Sequence, residues 1–160
     1  MTSRRPHPGV DRIAVALDHS EHALAAASMA ASLARACGHP LVLLHVFEGH
    51  PEELSELDAL SERFQDRIRM PTDALQEAMS AGSRKLFNRV REHLDLDSLA
   101  PEEVSLDGDP AEALLDYCRQ HPDTLLIVGR RGLSPTRSIL MGSVSTRLVH
   151  EAACPVLVHH

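Results

Sequence analysis

The chain has 160 residues, 43% of them hydrophobic, and a formal net charge of −7 at pH 7. That length fits one domain with a core of its own, without disulfide or metal staples. The acidic balance argues against a nucleic-acid or anionic-membrane surface, and the scarcity of aromatics (no Trp, only Tyr117, Phe47, Phe64 and Phe87) removes the platforms on which single-stranded nucleic acid stacks.

Residues 1–11 are polar, with two prolines and a glycine, and read as a flexible lead-in to a single domain over 12–160. Arg12 to Leu17 reads as a buried strand that ends at Asp18-His19-Ser20. From Glu21 to Cys37 the apolar positions Leu24, Ala27, Ala31 and Ala34 fall three or four apart, which predicts a helix, and Gly38 and Pro40 stop it. Leu41 to Phe47 is a second apolar strand. Glu48 to Ser98 is helical in composition, with breaks at Pro51 and around Met70-Pro71-Thr72. Its best helix runs from Asp73 to Leu94, with Leu75, Ala78, Met79, Leu86 and Val90 on one side. Glu103 to Leu106 is a short third strand. Asp109 as N-cap and Pro110 at the first helical position start a helix that runs to about Gln120. Thr124 to Val128 is a fourth strand, Ser143 to Ala152 a helix, and Pro155 to His159 a fifth strand.

Strands that are continuous apolar runs, each followed by a helix, imply a parallel sheet covered on both faces. Right-handed crossovers make it a doubly wound, five-stranded α/β fold of Rossmann-like type. Ligands in such sheets sit past the carboxyl ends of the strands, where the winding reverses. With strands one and four as central neighbours, Asp18 and Gly129 both border that crevice.

The stretch Gly129-Arg130-Arg131-Gly132, followed by Gly142-Ser143, opens off an apolar strand and closes onto a helix start. Glycine lets backbone approach a ligand closely, and a helix N-terminus offers unpaired N–H groups to an anion. The loop is not a Walker A loop, and the turn after strand one lacks the glycines of a dinucleotide fingerprint. Two readings stay open on these residues: a phosphate cradle, or glycines that only shape a long crossover loop. Asp18 likewise reads either as a ligand contact or as a cap on the helix that follows, through the N–H groups near Glu21 and His22.

The spacing Gly129-x2-Gly132-x9-Gly142-Ser143 resembles the ATP-binding signature of the universal stress protein family. Arg12 to Ser20 resembles that family's opening strand and its acidic end, Leu43 to Phe47 its second strand, Gly108-Asp109-Pro110 its G-x-P helix start, and Cys154 to Val158 its closing strand. The resemblance runs in register over about residues 10 to 160. It implies adenine-nucleotide binding, with ATP, or AMP or ADP, as the ligand and Mg or Mn on the phosphates. It implies Asp18 and Ala16 at the adenine and ribose end, Val46 against the base, and Val128 and Gly129 beside the ribose. Gly132, Gly142, Ser143 and Val144 would hold the phosphates, with Ser145 as a further candidate. Thr124 departs from the family, in which many members carry Asp before the fourth strand. The resemblance further implies a homodimer through the C-terminal edge strand and an unknown regulatory protein partner.

Beyond that signature the chain offers little chemistry. Arg130, Arg131 and Arg137 read either as phosphate partners or as solvated loop residues. The 11 histidines form no convincing ligand set, and His45 within strand two reads as a satisfied buried imidazole. Ser20 between His19 and His22 is sequence proximity, not a nucleophile with its base. Cys37, Cys118 and Cys154 read as buried free thiols, far apart and without a zinc or CxxC spacing. No secretory or membrane-spanning segment stands out, so the expected location is cytoplasmic. The functional expectation is an ATP-binding stress-response regulator with slow or no turnover. The alternatives are a dimeric scaffold protein, with nucleotide structural or absent, and a slow ATPase or autophosphorylating enzyme.

Overall fold

The computed structural model describes residues 9–48, 72–132 and 141–160; the side chains of residues 72–76, 78 and 79 are outside that description. Five strands, β1 (Arg12–Leu17), β2 (Leu41–Phe47), β3 (Glu102–Asp107), β4 (Thr124–Gly129) and β5 (Val156–His159), form one sheet in the order β3-β2-β1-β4-β5. Every pairing is parallel. The helices are α1 (Glu21–Cys37), α2 (Thr72–His93), α3 (Pro110–Gln120) and α4 (Ser143–Glu151), with a short 3-10 turn at Asp97–Leu99. The winding reverses between β1 and β4, whose residues pair from Arg12 with Thr124 to Val15 with Ile127.

Two cores follow from the period-2 alternation of the central strands. Ile13, Val15 and Leu17 of β1, Leu41 and Leu43 of β2 and Ile127 of β4 meet α1 and α2 on one face. Ala14, Val42, Leu44, Val46, Leu126 and Val128 meet α3 and α4 on the other. Both faces are therefore dry, as the continuous apolar runs predict. On α1 the expected positions Ala27, Ala31 and Ala34 are buried, joined by Ala23, Ala26 and Ala30, while Leu24 lies at the margin. An alanine face lets the helix axis sit close to the sheet. On α2, Leu86 and Val90 are buried as expected, joined by Phe87; the expected apolar positions Leu75, Ala78 and Met79 lie outside the described side chains, and the breaks expected at Pro51 and Met70-Pro71 lie outside the described residues.

Local caps agree with elementary chemistry. Gly38 ends α1 in the left-handed region (φ 69°) and donates its N–H to the Ala34 carbonyl. Asp109 caps α3 by accepting from the Glu112 N–H at 2.9 Å. Ser20 caps α1, its hydroxyl oxygen accepting from the Ala23 N–H at 3.1 Å. Replacing Ser20 by Ala is expected to cost about 1 kcal/mol, a fall in thermal midpoint of about 2–4 °C by calorimetry.

His45 fits its expected role: it is 2% exposed, and its Nδ1 is hydrogen-bonded to the Ser83 hydroxyl at 2.8 Å. The cysteines depart from expectation in two ways. Cys37, at the end of α1, is exposed, and Cys118 and Cys154 are not apart but share the α3/α4 core. The linear spacing hides that shared core because α4 returns to pack against α3. Among the described residues no helix is long and apolar enough to cross a membrane.

Candidate nucleotide site

The stripe that fills the α3/α4 core continues past it at the carboxyl ends of the strands. On β1 the stripe is Ala14, then Ala16, then Asp18; on β2 it is Leu44, then Val46, then Glu48; on β4 it ends at Val128. There a cavity of about 510 Å³ opens, lined on the sheet side by Ala16, Asp18, Leu44, Val46, Glu48 and Val128. Its size lies in the range of small-molecule sites. Ala16 matters by being small, since a larger side chain at the strand end would occupy the cavity floor.

The opposite wall is the loop after β4 and the start of α4: Gly129, Arg131, Gly132 and Gly142 to Ser145. Hydrogen bonds fix the base of this loop. The Gly142 N–H donates to the Arg130 carbonyl at 2.8 Å, and the Arg130 N–H donates to the His159 carbonyl at 2.8 Å. The Ser145 hydroxyl donates to the Gly129 carbonyl at 2.8 Å and lies 3.3 Å from that of Arg130. Residues 133–140, including Arg137, lie outside the described residues.

All ten positions singled out from the sequence, Ala16, Asp18, Val46, Val128, Gly129, Gly132, Gly142, Ser143, Val144 and Ser145, line this one cavity. Three of these positions bond in ways the sequence leaves open. Asp18 does not cap α1: Ser20 does, and Asp18 Oδ1 instead accepts from the Ser20 N–H at 2.8 Å in a tight Asp turn. Its other oxygen faces the loop so closely that a Cβ on Gly132 would lie 2.7 Å from it. Ser143 is not the cap of α4 either; Gly142 holds that position, and no side chain caps the helix. Ser145 spends its hydroxyl on strand-end carbonyls, so it organises the loop.

The electrostatics of the helix starts are unequal. Both α1 and α3 carry a side-chain cap and an acid in the first turn, Ser20 with Glu21 and Asp109 with Glu112. In α4 there is neither. Its positive dipole end and first N–H groups therefore face the cavity with no acid of their own helix beside them.

A third wall was not anticipated. Asp109, Pro110 and Leu114 of α3 close the cavity beside β2. The signal for it was present: parallel strands present all their carboxyl ends along one edge, so the helix after β3 must start next to the end of β2. Asp109 is occupied there by its cap and by Arg147, whose guanidinium lies 3.7 Å away and also pairs with Glu112 at 2.6 Å. Arg131, one of three loop arginines with two open readings, does line the cavity. Thr124 starts β4, at the end of the sheet away from the cavity. Among the described residues no group of three or more His, Cys, Asp and Glu could hold a metal ion.

This geometry can be set beside known proteins. The profile of the universal stress protein family matches residues 9–160. The chain belongs to the universal stress protein family. A universal stress protein of Thermus aquaticus, encoded in the 3' region of a QAH/OAS sulfhydrylase, is 34% identical over 146 residues, 91% of this chain and 96% of its own length. Among solved structures, universal stress protein UspA from Lactobacillus plantarum superimposes with a TM-score of 0.70 at 22% identity, covering 95% of this chain and 99% of its own. Another universal stress protein, solved in complex with cAMP, superimposes with a TM-score of 0.61 at 22% identity over 95% of this chain and 98% of its own. The five-stranded parallel sheet of this universal stress protein is thus the fold of its structural relatives.

Proposed function

We propose that this universal stress protein is an ATP-binding regulator, in which nucleotide occupancy is coupled to binding of a protein partner and turnover is slow or absent. The observation that carries the proposal is the cavity at the carboxyl ends of β1, β2 and β4, where the apolar floor of Ala16, Leu44, Val46 and Val128 lies opposite the glycine loop and the start of α4. Adenine would lie against Ala16, Val46 and Leu114, with Asp18 at the adenine and ribose end and Val128 and Gly129 beside the ribose. The phosphates would meet the backbone at Gly132, Gly142, Ser143 and Val144, where the uncapped start of α4 favours negative charge by about 0.3–1 kcal/mol. AMP and ADP would use the same floor with fewer phosphate contacts. A Mg or Mn ion would ride on the phosphate oxygens, since such ions commonly bind through substrate phosphates and water. The structural relative solved with cAMP supports adenine as the base.

Slow turnover fits the Ser145 hydroxyl, whose one proton is donated to the Gly129 carbonyl, so that it organises the loop instead of serving as a nucleophile. The homodimer would form through β5, which pairs with β4 on one side and lies at the sheet edge on the other. Both flanks of β5 already pack inward, Leu157 on one core and Val156 and Val158 on the other, so its outer ladder edge is the part left to a second copy.

Titration of the purified chain with ATP and Mg by calorimetry should give saturable heat at one site per chain, and mass spectrometry of denatured protein should detect adenine nucleotide carried through purification. No heat together with no nucleotide would overturn the reading in favour of a scaffold without nucleotide.

A further inference from the structure

Two helices that start at the cavity are joined by one side chain. α3 and α4 pack against each other. Asp109 at the start of α3 lines the cavity, as do Ser143 and Val144 at the start of α4. Arg147 stands one turn into α4, four residues after Ser143. Its guanidinium reaches three carboxylates. Nη2 donates to Glu112 Oε1 at 2.6 Å, Nη1 lies 3.7 Å from Asp109 Oδ1, and Nε donates to Glu151 Oε1 at 3.4 Å. Asp109 and Glu112 are the cap and the first-turn acid of α3, and Glu151 ends α4. The charges on the cavity wall give this bridge its importance. Among the described lining residues Asp18, Glu48 and Asp109 are carboxylates, and Arg131 is the one cation. A polyphosphate in this cavity therefore meets more acid than base. Asp109 and Glu112 suit the start of α3, where they satisfy an N–H group and the dipole, but they oppose a second anion across the gap. Arg147 is the cation set against both of them.

We propose that Arg147 is a positioning residue for the phosphates: it offsets the charge of Asp109 and Glu112 and straps the start of α3 to α4, so that the cavity accepts a ligand with several negative charges. The role rests on the nucleotide reading above and adds a specificity to it. Its contribution follows the charge of the ligand and not the base, since a neutral nucleoside gains nothing from the offset. It also falls with salt, because charges in contact with solvent are screened over about 10 Å at 0.1 M. The side chains of Arg147, Asp109, Glu112 and Glu151 are all exposed to solvent. Such ion pairs add little to folding stability, so the loss of Arg147 leaves the fold in place.

The test compares the parent chain with Arg147→Met, which keeps an unbranched stem and removes the charge, and with Arg147→Lys, which keeps the charge and loses the planar fork. Calorimetry gives the affinity for ATP in excess Mg, and displacement of ATP gives the affinity for adenosine. Arg147→Met should weaken ATP about 5–10-fold and adenosine less than about twofold, with Arg147→Lys between the parent and Arg147→Met for ATP. The loss for ATP should shrink when salt is raised from about 0.05 M to about 0.5 M. Adding Glu112→Gln to Arg147→Met should recover part of the ATP affinity, because it removes an acid left without its cation. Equal losses for ATP and adenosine, or a loss that salt does not change, would reduce Arg147 to a structural contact and overturn the proposal. Unchanged ATP affinity in Arg147→Met, beside a parent chain that binds ATP, overturns it alone. A parent chain that binds no ATP overturns it together with the nucleotide reading.

Discussion

Gly142→Leu is expected to weaken ATP binding by at least about 100-fold, equivalent to about 2.7 kcal/mol, while the chain stays folded. At Gly142 the backbone is extended, with φ −68° and ψ 161°, a conformation open to any residue. A Cβ there would meet the Arg130 carbonyl oxygen at 3.5 Å, the Arg131 Cα at 3.6 Å and the Gly132 nitrogen at 3.9 Å, which is ordinary van der Waals contact. Alanine therefore fits. The further carbons of leucine must enter the gap between the loop backbone and the first turn of α4, where the proposed phosphates would approach the N–H groups. Leucine is a poor cap, so the stability cost is about 1 kcal/mol, or about 2–4 °C in thermal midpoint. Calorimetric titration with ATP, together with a thermal melt, checks both halves. Unchanged affinity would remove the start of α4 from the site.

The strand ends of this cavity were legible because the chain writes them twice. Leu125 to Val128 is an apolar run that must be buried on both faces, and it stops at a glycine; Ile13 to Leu17 does the same and stops at Asp18. Neighbouring parallel strands then bring the two stops together, as the β1–β4 register does. Contacts made across the fold by residues without a distinctive type were not legible. Leu114 reads as one more apolar position on α3 until its helix is placed beside β2, and Cys118 gives no sign that α4 and the bend after it will return Cys154 to the same core. Cap identity was hidden for a different reason. Asp18 and Ser20 are both good caps by residue type, and only the path of the turn decides that Ser20 reaches the Ala23 N–H while Asp18 holds the Ser20 N–H.

Gly129→Val is expected to lower the thermal midpoint by about 2–12 °C, the consequence of about 1–3 kcal/mol of overpacking. Its contrast with Gly142 separates the duties of the motif glycines. Neither Gly129, Gly132 nor Gly142 has a positive φ; among the described glycines only Gly38 and Gly108 do. The motif therefore uses glycine for space and not for its conformational freedom. At Gly129 the space is taken by the first turn of α1, where a Cβ would stand 3.0 Å from the carbonyl carbon, the carbonyl oxygen and the Cβ of His22. Two of those three atoms are backbone, so no side-chain rotation relieves the contact, and valine adds two more carbons to it. The first turn of α1 would have to lift from the sheet, which strains the alanine face that seats the helix and shifts Ser20 and the Asp18 carboxylate hydrogen-bonded to its N–H. Affinity for ATP and thermal stability should then fall together in Gly129→Val, whereas in Gly142→Leu affinity falls almost alone. At Gly132 the obstacle is a carboxylate oxygen at the end of the Asp18 side chain, which can rotate, so an added Cβ there disturbs the cavity more than the fold. A Gly129→Val protein that melts with the parent chain would show that the β4 end and α1 are not in tight contact, and the close approach would lose its role in shaping the cavity.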